Sequence, residues 1–141
     1  MKELRIVIAG GRDFNNYELL KSTAETVIDT NKHNDEQITI VSGVAKGADT
    51  LGEQFAKEFG YNLKRFPADW DKIGKYAGYF RNEEMAKFAS EEDNGMLIAF
   101  WDTQSRGTKH MIDMAKKYNL RTFIVNYPRS KNKERFFKWN Y

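Results

Sequence analysis

Short apolar runs of strand length alternate with stretches of helical periodicity, and this alternation restricts the possible folds more than any other feature. The runs cover residues 4–9, 38–41, 63–66, 96–101 and 122–125. The segments RIVIA and MLIAFW show no apolar-polar alternation, which is typical of strands covered by helices on both faces. The pattern therefore predicts an α/β protein with an open, mostly parallel five-stranded sheet and helices on both faces.

Helical periodicity appears between most of these runs. Apolar residues recur at intervals of three and four over 16–30, 48–59, 82–88 and 108–118, which predicts four helices. Gly60 follows the second helix, where a C-terminal cap belongs. After residue 126 the composition becomes basic and aromatic. We therefore expect a single domain over residues 1–126, followed by a tail over 127–141.

The composition excludes several kinds of site. The 141 residues include no cysteine and two histidines, which excludes disulfides and thiol nucleophiles and leaves a metal site only carboxylates. We expect no metal and no cofactor. The net charge of +3 weakly favours anionic partners. No leader pattern and no apolar run of membrane length are present, so we expect a cytoplasmic protein without membrane partners.

The first strand ends in the loop AGGRDF, which has the chemistry of an anion site. Gly10 and Gly11 let backbone N–H groups approach a ligand, and the Arg12 guanidinium can bind a phosphate or carboxylate. Asp13 follows directly. The simpler interpretation is that the glycines form a tight turn and Asp13 caps the next helix.

The second loop contains Ser42, Gly43, Lys46, Gly47 and Asp49 around the start of a helix. Free N–H groups at a helix N-terminus attract anions, and the Lys46 charge could assist them. The spacing matches neither the P-loop nor the dinucleotide fingerprint. Alternatively, Asp49 only complements the helix dipole, and Gly47 only permits close packing.

The loop after the fourth strand has the sequence WDTQSRGTKHM. It offers a hydroxyl, a guanidinium and a glycine at a helix start, a combination suited to phosphate, in residues Ser105, Arg106, Gly107 and Thr108. Thr108 is also a plausible N-cap, and this role alone would explain why a threonine stands at this position. If the strand order reverses between strands one and four, this loop faces AGGRDF across a crevice.

A long connection over residues 66–85 separates the third strand from a predicted helix. Long loops in compact domains are often functional. Arg81 and Asn82 stand where this loop enters the helix, and Asn82 could bind a ligand or only cap the helix. The aromatic residues Trp70, Tyr76 and Tyr79 could stack on a base, although packing against the sheet is the simpler interpretation.

Together, the segments AGGRDF, VSGVAKGADTLGEQFAKEFG, FPADW, RNEEMA and AFWDTQSRGTKHMIDMAKKYNL resemble the YspA-like, YpsA-related branch of the SLOG superfamily, which includes the Lonely Guy enzymes and Smf/DprA. The resemblance covers residues 4–125. It implies a Rossmann-like sheet with a nucleotide-type pocket at the C-terminal ends of the strands. The matching ligand-binding positions are Gly10, Gly11, Arg12, Ser42, Gly43, Gly47, Asp49, Arg81, Asn82, Gly107 and Thr108.

One position departs from the enzymes of the superfamily. Lonely Guy proteins have a glutamate three residues after the threonine of the phosphate loop, where this chain has Met111. A thioether cannot accept a proton, so that mechanism does not carry over. The candidate catalytic carboxylates are instead Asp13, Asp49 and Glu83, because they stand on the predicted pocket segments.

These observations lead to three hypotheses. The first is a sensor or sequestering protein for a nucleotide-derived ligand, for example an ADP-ribose-like molecule. The second is a hydrolase acting on an N-glycosidic or phosphate bond of such a ligand. The third is single-stranded nucleic acid binding through the basic and aromatic tail. The resemblance also implies a homo-oligomer.

Overall fold

Five parallel strands form one sheet in the order β3-β2-β1-β4-β5. The computed structural model describes residues 2–33 and 36–129. Within them the strands are β1 (Lys2–Gly10), β2 (Glu36–Ser42), β3 (Asn62–Arg65), β4 (Met96–Trp101) and β5 (Arg121–Asn126). All five coincide with the predicted apolar runs. The predicted Rossmann-like α/β class is confirmed.

Helices connect consecutive strands. They are α1 (Tyr17–Asn31), α2 (Ala48–Phe59), α3 (Trp70–Ile73), α4 (Ala77–Ser90) and α5 (Arg106–Lys117), with a 3₁₀ turn over Gly74–Tyr76. Gly60 caps α2 in the left-handed conformation, as predicted. No helix in the described ranges combines the length and apolarity needed to cross a membrane.

The structure contradicts the three capping alternatives. α4 begins at Ala77, so that Asn82 lies inside the helix and does not cap it. The cap of α1 is Asn16, whose side chain accepts the Leu19 N–H, and not Asp13. The cap of α5 is Ser105, whose hydroxyl accepts the N–H of Thr108. In α1 and α5 a side chain nearer the first helical residue satisfies a free N–H group, whereas α4 has no side-chain cap.

The two faces of the sheet are covered by different helices. Alternate residues of β1 point in opposite directions, so Ile6 and Ile8 pack in the cluster with α1 and α2. Val7 and Ala9 pack in the cluster with α4 and α5. Burial on both faces explains why the central strands lack apolar-polar alternation.

The strand order reverses between β1 and β4, which pair in parallel with Gly10 opposite Phe100. At such a switch point the loops after neighbouring strands diverge and leave a crevice. Gly10 fits there because a Cβ would collide with the Phe100 carbonyl and would lie 2.9 Å from the Cβ of Ala48. The expected juxtaposition of the first and fourth strand loops is therefore present.

Candidate functional site

A cavity of about 580 Å³ lies at the carboxyl ends of the strands, over the switch point. The β1–α1 loop, the start of α2, the helix α4 and the β4–α5 loop all contribute to its lining. Ten of the predicted site residues line it, namely Gly10, Gly11, Arg12, Asp13, Asp49, Arg81, Asn82, Ser105, Gly107 and Thr108.

Other predicted site residues lie outside this lining. Lys46 and Gly47 line a separate depression of about 370 Å³ beside the first loop, which shares Arg12 and Asp13 with the cavity lining. Ser42 is buried and donates its hydroxyl to Glu53 at 2.7 Å. Gly43 is buried, and its carbonyl accepts a hydrogen bond from Arg81. Arg106 is exposed at the start of α5.

Glu83, the third candidate catalytic carboxylate, also lies away from the cavity lining. Its Oε2 accepts hydrogen bonds from Lys117 Nζ at 2.9 Å and from the Tyr118 hydroxyl at 2.7 Å. These partners lower its pKa, with Lys117 the larger cause. The contacts join α4 to the C-terminal end of α5.

Backbone contacts connect the first and second loops. The carbonyl of Gly11 accepts the N–H groups of Phe14 and Ala48, both at 3.2 Å. Gly47 has a φ of 80°, and a Cβ there would collide with the Gly11 carbonyl and with the backbone of Arg12. The entry into α2 therefore lies directly against the arginine-bearing loop.

Asp49 is a buried carboxylate in the first turn of α2, with 5% of its surface exposed. Its Oδ2 accepts the Ala45 N–H at 3.2 Å. Burial raises the pKa of Asp49 to about 6, even though the Ala45 hydrogen bond and the Arg81 charge act in the opposite direction. The nearby charge of Glu53 also raises the pKa of Asp49. The cavity thus contains a carboxyl that titrates close to neutral pH.

The raised pKa of Asp49 predicts how the stability of the protein depends on pH. Between its ordinary value of 3.8 and about 6, the folded state retains a proton that the unfolded state releases. The contribution of Asp49 to stability is therefore greatest below pH 3.8 and declines as the pH rises through 6. The Asp49→Asn variant does not titrate, so we expect it to gain about 3 kcal/mol relative to wild type across this window.

Urea unfolding of both proteins at pH 4, 5, 6 and 7 measures this difference. The other titratable groups are common to both chains and cancel in the comparison. Parallel stability profiles would contradict the raised pKa.

Arg81 projects from α4 toward the second loop. Its Nη1 donates to the carbonyl of Gly43, and its Nε donates to the Asn82 side chain at 3.0 Å. A Cβ on Gly43 would lie 2.7 Å from Nη1 and 2.8 Å from Asp49 Oδ2, so this glycine makes room for both charged groups. Burial lowers the pKa of Arg81, Asp49 opposes the decrease, and Arg12 adds to it. Arg12 and Arg81, two of the three arginines that line the cavity, therefore repel each other.

Asn82 connects α4 to α5. It is buried, donates its Nδ2 to the Gly107 carbonyl at 3.3 Å and lies 3.2 Å from Nδ1 of His110. His110 stacks on Tyr79, with ring centroids 4.3 Å apart. The helix carrying Arg81 is thus fixed against the loop that begins α5.

The third loop is organised by Asp102, which the sequence reasoning missed. Its Oδ1 accepts the N–H groups of Gln104 and Ser105 at 2.8 and 2.7 Å, and its Oδ2 accepts Arg129 Nε at 3.0 Å. Burial alone would raise the pKa of Asp102, but these donors outweigh it and the pKa is lowered. Thr103 has a φ of 68°, an uncommon conformation for a β-branched residue.

The segment after β5 also reaches the cavity. Arg129 lines it, and the hydroxyl of Tyr127 donates to Asp13 at 2.6 Å. No sequence signal indicated that Tyr127 and Arg129 reach the cavity, because both lie at the start of the segment that the composition marks as a tail. Asp102 could have been found, since it directly follows a buried strand. The rest of the tail, from residue 130, lies outside the described residues.

Comparisons with known proteins agree with the sequence resemblance. The model of the YspA, cpYpsA-related SLOG family matches residues 4–73, which contain the first two loops of the cavity. The Gene 61 protein of Mycobacterium phage D29 is 30% identical over 95 residues, covering 64% of this chain and 71% of the phage protein.

A solved structure, described as a predicted subunit of tRNA methyltransferase from Methanocaldococcus jannaschii, is 12% identical with a TM-score of 0.42. The similarity covers 97% of this chain and 74% of that one.

Proposed function

Because the chain belongs to the YspA, cpYpsA-related SLOG family, we propose that its cavity binds a nucleotide or nucleotide-derived ligand, such as an ADP-ribose-like molecule. In this proposal the protein acts as a sensor or a sequestering protein. The phosphate groups of the ligand lie at the first loop and at α4, and the loop before α5 supplies further hydrogen-bond donors.

The observation that carries the proposal is the pair of guanidinium groups in a concave, partly buried site. Arg12 and Arg81 both line the cavity, and each charge disfavours the other. Arg129 is paired with Asp102, and with Lys75 the cavity lining holds four cationic side chains against the three carboxyls of Asp13, Asp49 and Asp102. A bound phosphate would relieve this repulsion and accept hydrogen bonds from both guanidinium groups.

The size of the cavity also suits this ligand class. Binding sites for small molecules commonly have volumes of about 300–1,000 Å³. The cavity of about 580 Å³ falls within this range. A nucleoside phosphate therefore fits in volume as well as in charge.

A hydrolase is the second candidate function. Asp13 and Asp49 line the same cavity as the arginines. A carboxyl with a pKa of about 6 is suited to general acid or base catalysis near neutral pH. Met111, at the position of the Lonely Guy glutamate, also lines the cavity and offers no such chemistry.

Single-stranded nucleic acid binding and self-association stay predictions. The first depends on basic and aromatic tail residues, all of which except Arg129 lie outside the described range, namely Arg129, Lys131, Lys133, Arg135, Phe136, Phe137, Lys138 and Trp139. The second depends on the family resemblance alone. Native mass spectrometry of the purified chain tests for both an oligomer and a retained ligand.

Calorimetric titration with AMP, ADP, NAD and ADP-ribose tests the proposed function. We expect at least one of them to bind with a sub-millimolar Kd, and Arg12→Ala to weaken that binding by tenfold or more. Lys46→Ala removes an equal charge on the separate depression, so we expect its affinity to stay within about twofold of wild type. No binding by the wild-type chain would overturn the proposal.

Chromatography after incubation distinguishes the two candidate functions. Recovery of intact ligand from the complex supports binding alone, whereas base, ribose phosphate or released phosphate among the products supports a hydrolase.

A further inference from the structure

Large apolar side chains are concentrated on the surface at one place. Of seven exposed large hydrophobic residues in the described ranges, five lie between residues 70 and 80, namely Trp70, Ile73, Tyr76, Tyr79 and Phe80. The interpretation that the aromatic residues of this segment pack against the sheet is therefore wrong. A cluster of exposed apolar side chains commonly marks a binding surface.

Two members of the cluster, Trp70 and Tyr79, also line the cavity. We call this pair the aromatic wall. Half of the Trp70 surface and 42% of the Tyr79 surface are exposed. The wall thus combines accessible aromatic rings with a position beside the arginines of the cavity.

The indole ring of Trp70 lies against α4 at Gly78. A Cβ on Gly78 would lie 3.4 Å from Trp70 Cη2 and 3.6 Å from Arg81 Nη2. The ring and the guanidinium group are therefore neighbours across this glycine. A ligand bound by Arg81 through its phosphate lies within reach of the indole.

Tyr79 is held in place by its contact with His110. The two rings stack with centroids 4.3 Å apart and planes inclined by 26°, and His110 Nδ1 lies 3.2 Å from the buried Asn82 side chain. Because its neighbours fix the ring, Tyr79 loses little conformational freedom when a ligand binds.

We propose that the aromatic wall binds the nucleobase of the ligand by stacking, while Arg12 and Arg81 bind its phosphate groups. This inference rests on the proposed function and narrows its ligand class to molecules that contain both a heteroaromatic base and a phosphate. Stacking accepts any base, because every base has a π face. The wall therefore selects nucleotides over sugar phosphates, not one base over another.

Titrations of the full chain with ADP-ribose and with ribose 5-phosphate test this assignment. We expect wild type to bind ADP-ribose more tightly. Trp70→Ala and Tyr79→Ala should each weaken ADP-ribose binding by about 10- to 100-fold and leave ribose 5-phosphate binding unchanged. Tyr76→Ala is the matched control, because Tyr76 is an exposed aromatic residue of the same segment outside the cavity lining.

Tryptophan fluorescence gives an independent readout. We expect ADP-ribose to quench the emission of wild type, and Trp70→Phe to remove most of this quenching while retaining affinity. Equal losses for ADP-ribose and ribose 5-phosphate in the wall variants, or unchanged ADP-ribose affinity, would overturn the base assignment alone. If wild type binds neither compound, the base assignment is overturned, and the proposed function is overturned as well only if AMP, ADP and NAD also fail to bind.

Discussion

Replacement of Gly47 by alanine is expected to lower the free energy of unfolding by roughly 3–5 kcal/mol and to abolish ligand binding. Its φ of 80° is costly for a residue with a side chain, and the added Cβ would also collide with the Gly11 carbonyl and the Arg12 backbone. These neighbours are main-chain atoms and cannot rotate away. The first loop would have to move, and Arg12 would move with it.

Gly60 provides a control for this prediction. It also has a positive φ, 69°, but its ψ of 25° places it in the left-handed helical region, whereas Gly47 has a ψ of −124°, and a Cβ on Gly60 would meet no atom within 4 Å. Gly60→Ala therefore measures the cost of a left-handed alanine without a collision, about 1 kcal/mol, and should leave ligand binding intact. Chemical denaturation of both variants shows how much more the strained and crowded position of Gly47 costs. A Gly47→Ala variant no less stable than Gly60→Ala would refute the close contact between the loops.

Among the side chains that line the cavity, Arg81 is expected to contribute most to ligand binding. Arg81→Met should weaken the binding of phosphate-containing ligands by about 100-fold or more, because it removes a cationic fork that the helix holds in place. It also leaves the Gly43 carbonyl and the Asn82 side chain without their donors. We therefore expect stability to fall by about 2 kcal/mol.

Arg81→Lys separates charge from geometry. Lysine retains the positive charge but has no planar fork, so we expect it to recover part of the stability and little of the affinity. Arg106→Ala removes an exposed arginine outside the cavity lining and should bind as wild type does. Calorimetry with ADP or ADP-ribose tests all three variants. Wild-type affinity in Arg81→Met would refute a phosphate-binding role for this residue.

The sheet could be predicted from the sequence because burial on both faces leaves a direct signal in the central strands. β1 and β4 are apolar without alternation, and the glycines and arginine after β1 indicated a ligand loop. These features depend on local sequence and on the general rule that parallel strands end at one edge. Ten predicted residues consequently line a single cavity.

The start of α4 could not be predicted in the same way. Its first two turns bury Ala77 and Asn82, which give no apolar periodicity. The sequence therefore predicts the helix five residues too late, which makes a cap a plausible alternative role for Asn82. Its actual partners, Gly107 and His110, come from another helix and leave no trace in the local sequence.

The path of the second loop also could not be predicted from the sequence. Lys46 immediately precedes a glycine with positive φ, and its side chain lies with the separate depression instead of the main cavity. Composition alone does not specify the direction in which such a glycine turns the chain. Arg129 was missed for a related reason, since its place depends on the course of the chain after the last strand.

The hydrogen bond between Tyr127 and Asp13 joins residues 114 positions apart. During synthesis, the first loop leaves the ribosome long before the residues that complete the cavity beside it. The first two loops can be positioned early, but Arg129 and its partner Asp102 meet only after β5 has been added to the sheet. A nascent chain therefore has an incomplete cavity until β5 has been made, and ligand binding would report that β5 has docked.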